Sequence, residues 1–466
     1  MKNTIRKITA LTLAVLTLAG ATSCGRDKPE EINDSQESSS EDNRTAEKNI
    51  ITAAVIAYDP NIQDIANKFN KNSECYEIRL NIYEDESETE TAFKKFQIDL
   101  ASGKAPDVVF ATPEDMITLI KADYMTDIYP LMDQYAEVKK EHFLPNVLEG
   151  LEFDNILPAL CPHFNISTAA AKTELVGIGS ENWSIQDVMT AYNEQATDDY
   201  FLFHEYSDWD LPNYMLRLIG RSFIDFENST CNFTNDEFIE FIRFISELPR
   251  FENKHNWLSE ISESEAQDWQ HETEMSLINN KALVEEIWLT GINSHVSSQI
   301  YAQFGGADIT YVGYPSLNGC GAVTETQMML GIFESSTCKE GAWEFLSQFF
   351  ERTVQKQYGL NGSGGIPVTS AAIESLAFDV NESTAQSSRE QLLLPDGSGN
   401  MVQITDEALR RLIDYISNIS IDVYFDSQLD SIIKEEIRAV REGEKTAEEV
   451  AEILQGRVEI YLSERS

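Results

Sequence analysis

From residue 50 to residue 111 the spacing of apolar residues switches back and forth between two periods, and few folds accommodate that. Residues 50–57 (IITAAVIA) form a near-continuous apolar run, as in a strand buried on both faces. Residues 61–70 (NIQDIANKFN) place Ile62, Ile65, Ala66 and Phe69 at helical spacing. Residues 76–83 (YEIRLNIY) alternate, with Ile78, Leu80 and Ile82 on one face. Residues 91–102 (TAFKKFQIDLAS) return to helical spacing through Ala92, Phe93, Phe96 and Leu100, and 107–111 (DVVFA) make a third strand. The order β-α-β-α-β with short connections predicts an α/β fold with a parallel, doubly wound sheet.

That order also decides how to read ASGKAPDVVFATPED at 101–115. A phosphate-binding loop needs its Gly-Lys after a strand and before a helix. Here the Gly-Lys follows a helix and precedes a strand, so the phosphate reading fails. Gly103 instead suits the left-handed position that ends a helix, and Lys104 suits its negative end. Pro106 sets up the extended strand. Asp107 lies at the amino end of that strand and is expected to be structural. Ligands of open α/β sheets sit beyond the carboxyl ends, which puts Thr112, Glu114 and Asp115 on the ligand side.

The rest of the chain alternates less regularly. Ser184 is the expected N-cap of a helix, residues 223–233 read as strand and turn, and 234–237 (TNDE) read as a capping box before FIEFIRFISEL. Residues 270–279 read as helix, 281–288 (KALVEEIW) and 309–314 (ITYVGY) as strands, and 340–358 as one long amphipathic helix. A glycine-rich break follows at 361–367, and Thr446 to Glu449 cap a last helix. At 466 residues the chain exceeds one compact core, so two domains are expected.

The first 48 residues have a different character. Lys2, Arg6 and Lys7 precede an apolar stretch too short to span a bilayer, the pattern of a secretory signal over residues 1–23. Ala21-Thr22-Ser23-Cys24 resembles a bacterial lipobox, with Cys24 as the lipidated residue. Residues 24–48 then make an acidic, serine-rich linker that cannot pack a core and is expected to be a disordered tether. The five other cysteines show no C-x-x-C pair and read as small buried hydrophobes, with no disulfide framework, metal site or cofactor expected. With 79 acidic against 35 basic residues, the chain repels phosphate backbones, which excludes nucleic acid as a partner.

Taken in order, several segments resemble those of the maltose-binding-protein-like extracellular solute-binding proteins (family 1) of ABC importers. These are LASGKAPDVVF, ADYMTDIYPLMDQY, KALVEEIW, VGYPSLNG, EGAWEFLSQFF with VQKQYGLNGSGGIPVT, and the closing EEIRAVREGEKTAEEVAEILQGRVEIYLSE. The resemblance implies a two-lobe, periplasmic-binding-protein-like fold, each lobe a mainly parallel sheet flanked by helices, with the ligand cleft between them. It implies an N-lobe of 49–157 plus 318–366 and a C-lobe of 158–317 plus 367–466. The crossovers are expected near 157–160, at Tyr314-Pro315 and at Ile366-Pro367. The stretch LPALCPHFNISTAAAKTEL lacks the tyrosine-asparagine pair usual in the family at that place.

The implied function is that of a monomeric, lipid-anchored protein on the extracytoplasmic face of the cell membrane. It would capture a carbohydrate, expected to be an oligosaccharide, and deliver it to the permease. A sugar offers hydroxyls on its edge and C–H groups on its faces, so its site needs carboxylates or amides and aromatic rings. Tyr58 and Asp59 follow the first strand, and Glu114 and Asp115 follow the third. Trp288 ends KALVEEIW. Tyr424, Phe425 and Asp426 precede a helix where the family often contributes a cleft aromatic. Each has a structural alternative: Glu114 and Asp115 as helix-capping residues, Trp288 as core. Trp183 and Trp343 read as packing residues. Two rival classes remain: a surface-anchored carbohydrate-active enzyme and a non-transport ligand sensor. The sequence holds no G-x-S-x-G and no H-E-x-x-H, and no enzymatic activity is expected.

Overall fold

The computed structural model describes residues 48–84, 91–135, 138–177, 183–197, 200–204, 213–226, 228–249, 262–292, 300–317, 321–360, 364–378, 392–394, 396–402, 404–422 and 426–464. Residues 47–466 form one compact unit. Cys24, the expected signal segment, nearly all of the linker and Cys320 lie outside the described residues. Among the described residues no helix is long and apolar enough to cross a membrane.

The first sheet follows the expected pattern. Strands β1 (Asn49–Val55), β2 (Tyr76–Ile82) and β3 (Val108–Ala111) are parallel, with β1 between the other two. Helix Pro60–Asn72 buries the Ile62, Ile65, Ala66 and Phe69 stripe, and helix Ala92–Ala101 buries Phe96. Gly103 takes φ +80° after the second of these helices. Asp107 is structural: its Oδ2 accepts from the Thr52 N–H (2.8 Å) and hydroxyl (2.9 Å), and its Oδ1 from the Ser336 hydroxyl (2.6 Å). Three segments of the lobe are tied at that carboxylate. β2 is an edge strand; Ile78 on its alternating face is buried, while Ile82 at its carboxyl end is exposed.

The second sheet corrects the expectation of a mainly parallel lobe. The long strand β4 (His163–Lys172) leads to β5 (Phe201–Phe203), a short hairpin of β6 (Ile224–Asp225) and β7 (Thr230–Cys231), then β8 (Ala282–Leu289), β9 (Ile309–Tyr311) and β10 (Val323–Glu325). β4 runs antiparallel to β8, β9 and β10, and among the described strands of this sheet only the β5–β8 pair is parallel. The central strand arrives directly from the first lobe, without the helical crossover that would turn it parallel to its neighbours. β11 (Met329–Ile332) then returns to the first sheet, antiparallel to β3. The chain therefore changes sheets at 326–328, downstream of the expected Tyr314-Pro315. β12 (Ile366–Pro367) pairs with the start of β4, and β13 (Leu392–Leu393) and β14 (Met401–Val402) form a separate hairpin.

One apolar cluster runs from the first sheet through Leu157, Ala159 and Leu160 to Ile166, Ile287 and Tyr311 on one face of the second sheet. A second cluster fills that sheet's other face, where Ala169, Ala171, Val284 and Val323 meet Leu216, Phe241, Ile433 and Leu454 from helices. Trp183 and Trp343 are buried, as expected of packing residues. Among the described cysteines Cys161 is fully buried and Cys231 and Cys338 are half-buried; Cys75, just before β2, is exposed, which corrects its reading as a buried residue.

Helix ends are largely where local signals place them. Ser184 and Thr446 cap reciprocally with Asp187 and Glu449. Asn235, not Thr234, is the N-cap of helix Asp236–Glu247: its Oδ1 accepts from the Glu237 N–H at 2.7 Å. The helix expected at 270–279 begins earlier, as Glu263–Glu274, where Ser262 and Glu265 bond each other's backbone N–H groups. The long helix expected at 340–358 is broken into Lys339–Ser347, a 3₁₀ turn and Arg352–Leu360. Gln355 bonds across the break. Its buried amide donates to the carbonyls of Pro162 (2.8 Å) and Phe349 (2.9 Å), and it accepts from the Val368 N–H (2.9 Å).

Candidate ligand-binding site

At the rim of the first lobe, two parallel strands end in the first turns of helices. Asp59 is the N-cap of Pro60–Asn72, its Oδ1 accepting from the Asn61 N–H at 2.7 Å. Tyr58, just before it, is 62% exposed. After β3, Thr112 caps Pro113–Lys121 by accepting from the Asp115 N–H at 3.2 Å. Glu114 is exposed and Asp115 half-buried in that first turn, where the helix dipole favours negative charge.

The second lobe supplies a wall. His163, Asn165 and Ser167 alternate on one face of β4, while Phe164 and Ile166 point into the core on the other. Residues opposite one another in an antiparallel pair share a face. Trp288 stands opposite Ser167, Glu286 opposite Ala169, and Glu325 opposite Asn165. Trp288 is 61% exposed although Ile287 and Leu289 on either side are buried. Glu286 accepts a hydrogen bond from the Tyr314 hydroxyl, and burial pushes its carboxyl above the usual range against that bond. Glu325 lies 3.7 Å from the buried Arg217, which also pairs with Asp430 at 3.1 Å.

Rim and wall meet at the inner end of this face. The His163 ring lies against that of Tyr358, centroids 4.6 Å apart. Burial lowers the His163 pKa to about 4, and the Asp59 carboxylate opposes that shift, so the first lobe's Asp59 is within electrostatic reach of the second lobe's His163. Burial and then Asp59 raise the Tyr358 hydroxyl. The Nδ1 of His163 and the Oδ1 of Asn165 are buried and have no hydrogen-bond partner among the described residues. Both face Gly365. A Cβ there would stand 2.6 Å from the first and 3.0 Å from the second, and its φ of +126° also disfavours any other residue.

Of the residues singled out from sequence, Asp59 joins this inner cluster and Trp288 its outer wall. Asp426 is the N-cap of helix Ser427–Arg441, and the Tyr461 hydroxyl donates to its carboxylate at 2.6 and 2.5 Å, so its oxygens are engaged within the helical layer. Tyr424 and Phe425 lie outside the described residues. His163, Asn165 and Tyr358 were not singled out. The alternation polar-apolar-polar-apolar-polar in HFNIS is the signal that carries the first two. Among the described residues no group of three or more His, Cys, Asp or Glu is placed to hold a metal ion.

Solved structures with the same arrangement of elements follow from comparison. One is an extracellular solute-binding protein family 1 member from Alicyclobacillus acidocaldarius, 13% identical, with a TM-score of 0.55 over 90% of this chain and 99% of that one. The fold is that of the extracellular solute-binding proteins. A second is the sugar-binding protein MalE from Xanthomonas citri, 13% identical, TM-score 0.56, covering 89% of this chain and 98% of that one. A third is the cyclic alpha-maltosyl-1,6-maltose binding protein from Arthrobacter globiformis, 13% identical, TM-score 0.52, covering 90% and 100%. No protein-family model matches the sequence, and no curated protein matches it.

Proposed function

We propose that this chain is a carbohydrate-binding protein of an ABC importer. In this reading it is held at the extracytoplasmic face of the cell membrane by a lipid on Cys24, takes up a solute between two lobes without converting it, and passes it to a permease. The observation that carries the reading is Trp288. It is a large aromatic left exposed on a sheet face, flanked by Ser167, Glu286 and Asn165, in a fold shared with sugar-binding proteins. An aromatic plane with acceptors on both sides suits the apolar face and hydroxyl edge of a pyranose.

The test is a thermal-shift screen over mono- and oligosaccharides, with each sugar recovered afterwards. A sugar that binds only the folded chain at about 100 times its Kd stabilises it by about 2.7 kcal/mol, a readily measured rise in melting temperature. A shift with the sugar unchanged supports the reading. New reducing ends would make the chain an enzyme, and no shift across the panel would remove carbohydrate from consideration.

A further inference from the structure

The first sheet is closed by backbone on one side and by a side chain on the other. Its order is β11-β3-β1-β2, so β11 and β2 carry the outward-facing backbone groups. On β11 the chain itself covers them. Leu330 exchanges hydrogen bonds with Leu160 at 2.9 and 2.8 Å, and the Ile332 carbonyl accepts from the Thr126 N–H at 2.9 Å. Among the described residues no strand covers β2 in this way.

The strand register decides which groups β2 turns outward. In a parallel pair alternate residues bond inward. The Asn49 N–H donates to the Cys75 carbonyl at 2.8 Å, and the Tyr83 N–H to the Val55 carbonyl at 2.9 Å. Between those two bonds, Glu77, Arg79 and Asn81 bond to β1, and Tyr76, Ile78, Leu80 and Ile82 present their backbone groups to the open edge. The end of helix Pro60–Asn72 reaches the first two. The Asn70 side chain accepts from the Ile78 N–H at 2.6 Å and donates to the Ile78 carbonyl at 2.9 Å, as a neighbouring strand would. The Ser73 hydroxyl oxygen accepts from the Tyr76 N–H at 3.2 Å. Lys48 Nζ donates to the Asn70 carbonyl at 2.8 Å and fixes the backbone from which that side chain extends. Asparagine is a poor helix former, so Asn70 serves this contact and not its own helix. The outward groups of Leu80 and Ile82 make no hydrogen bond among the described residues.

An edge strand with open backbone groups is a template for another strand. The strand that fits is β2 of a second copy, run antiparallel about a two-fold axis with Ile78 of one copy opposite Leu80 of the other, so that outward groups meet outward groups. With Ile78 engaged, Leu80 and Ile82 alone are too short a run for a stable pair.

We propose that Asn70 is a stop on this edge: it takes the place of a further strand and keeps two copies of the chain from pairing through β2. β1 and β2 end together, Val55 opposite Ile82, so a paired copy would stand beside the rim that carries Tyr58 and Asp59, and the stop keeps that rim clear. The inference rests on the edge geometry and is independent of the carbohydrate reading.

Amide exchange and sedimentation of the full chain test it. In the wild type the Ile78 amide is expected to exchange at least about 10-fold more slowly than those of Leu80 and Ile82, as a hydrogen-bonded amide beside open ones does. The wild type is expected to sediment as a monomer at every concentration. Asn70→Ala is expected to fold, alanine being the better helix former, and to dimerise as its concentration rises, with the Leu80 and Ile82 amides newly protected. A folded variant that stays monomeric over the same range would overturn the proposal, and so would a variant that associates with no new protection along β2. Two wild-type results would overturn it whether or not the variant folds: an Ile78 amide that exchanges as fast as that of Leu80, or dimers paired through β2 with Asn70 in place.

Discussion

Trp288 sits between two core residues of its own strand and still exposes most of its surface. Removing an exposed indole costs little folding free energy, whereas a core Trp→Ala costs about 3–5 kcal/mol. Losing a stacking platform costs about 1–3 kcal/mol of binding, or roughly 5- to 150-fold in Kd. Trp288→Ala is therefore expected to weaken sugar binding strongly and to leave the unliganded melting temperature nearly unchanged. The reverse pattern would return Trp288 to the core. His163 makes a prediction of a different kind. Its folded pKa of about 4 lies below its ordinary value of 6.5 because burial disfavours the cation, with Asp59 opposing and Tyr358 stacked beside it. Below pH 6.5 the unfolded chain takes up a proton that the folded chain refuses until about pH 4. The stability this residue contributes is thus whole above pH 6.5 and declines as pH falls toward 4, by about 3 kcal/mol in all. Urea unfolding at both ends of that window, for the wild type and His163→Gln, checks it. The variant is expected to lose less stability on acidification, and equal losses would count against the assignment.

At the scale of elements, Gln355 is the residue to change. One side chain satisfies the carbonyl of Pro162 just before β4, the carbonyl of Phe349 where the helix breaks, and the N–H of Val368 just after β12. Gln355→Leu keeps the volume and leaves three buried backbone groups unpaired. At about 1–3 kcal/mol for an unsatisfied buried group, the loss is expected to exceed about 2 kcal/mol in chemical unfolding. A loss below about 0.5 kcal/mol would show that those groups find other partners. This element also marks where sequence reading stops. The first sheet was legible because each strand and helix announces itself within about ten residues, and Pro60, Thr112, Ser184 and Thr446 mark helix starts within one turn. The break at Glu351 was not, because the Pro162 carbonyl that Gln355 bonds beside it lies far along the chain. The second sheet was not legible either: β4 pairs with β12, some two hundred residues later, and no local period reports direction. The site divides in the same way. Tyr58, Asp59 and Trp288 stand at strand ends that sequence can locate, while Tyr358 joins His163 only through the fold. Asp426 shows the converse, a polar residue before a helix whose partner, Tyr461, is invisible locally.

For the whole molecule, two properties follow from how the lobes are joined and held. If Cys24 carries the anchor, Cys24→Ala should release the protein from the membrane fraction with its sugar affinity unchanged, since residues 47–466 form their own compact unit. A variant that remains membrane-bound would remove the lipid from the account. The second property is closure. The lobes are connected by 157–161, where Leu160 and Leu330 exchange backbone hydrogen bonds at 2.9 and 2.8 Å, by 326–328, and by the stretch around β12. Several short, bonded connections permit rotation about one axis and resist unfolding, the construction of a hinge. With 79 acidic against 35 basic residues, both lobes carry negative charge, including Asp59, Glu114 and Asp115 at the first lobe's rim and Glu286 on the second lobe's sheet. Drawing them together without a ligand costs Coulomb repulsion that salt screens. A sugar whose hydroxyls donate to these carboxylates offsets that cost, so binding and closure are coupled, with the closed state populated by its higher affinity. Small-angle scattering should show a smaller radius of gyration with saturating sugar than without it, and the sugar should bind more tightly as ionic strength rises. An unchanged radius at saturation would mean that the ligand enters a preformed site and that the hinge serves some purpose other than capture.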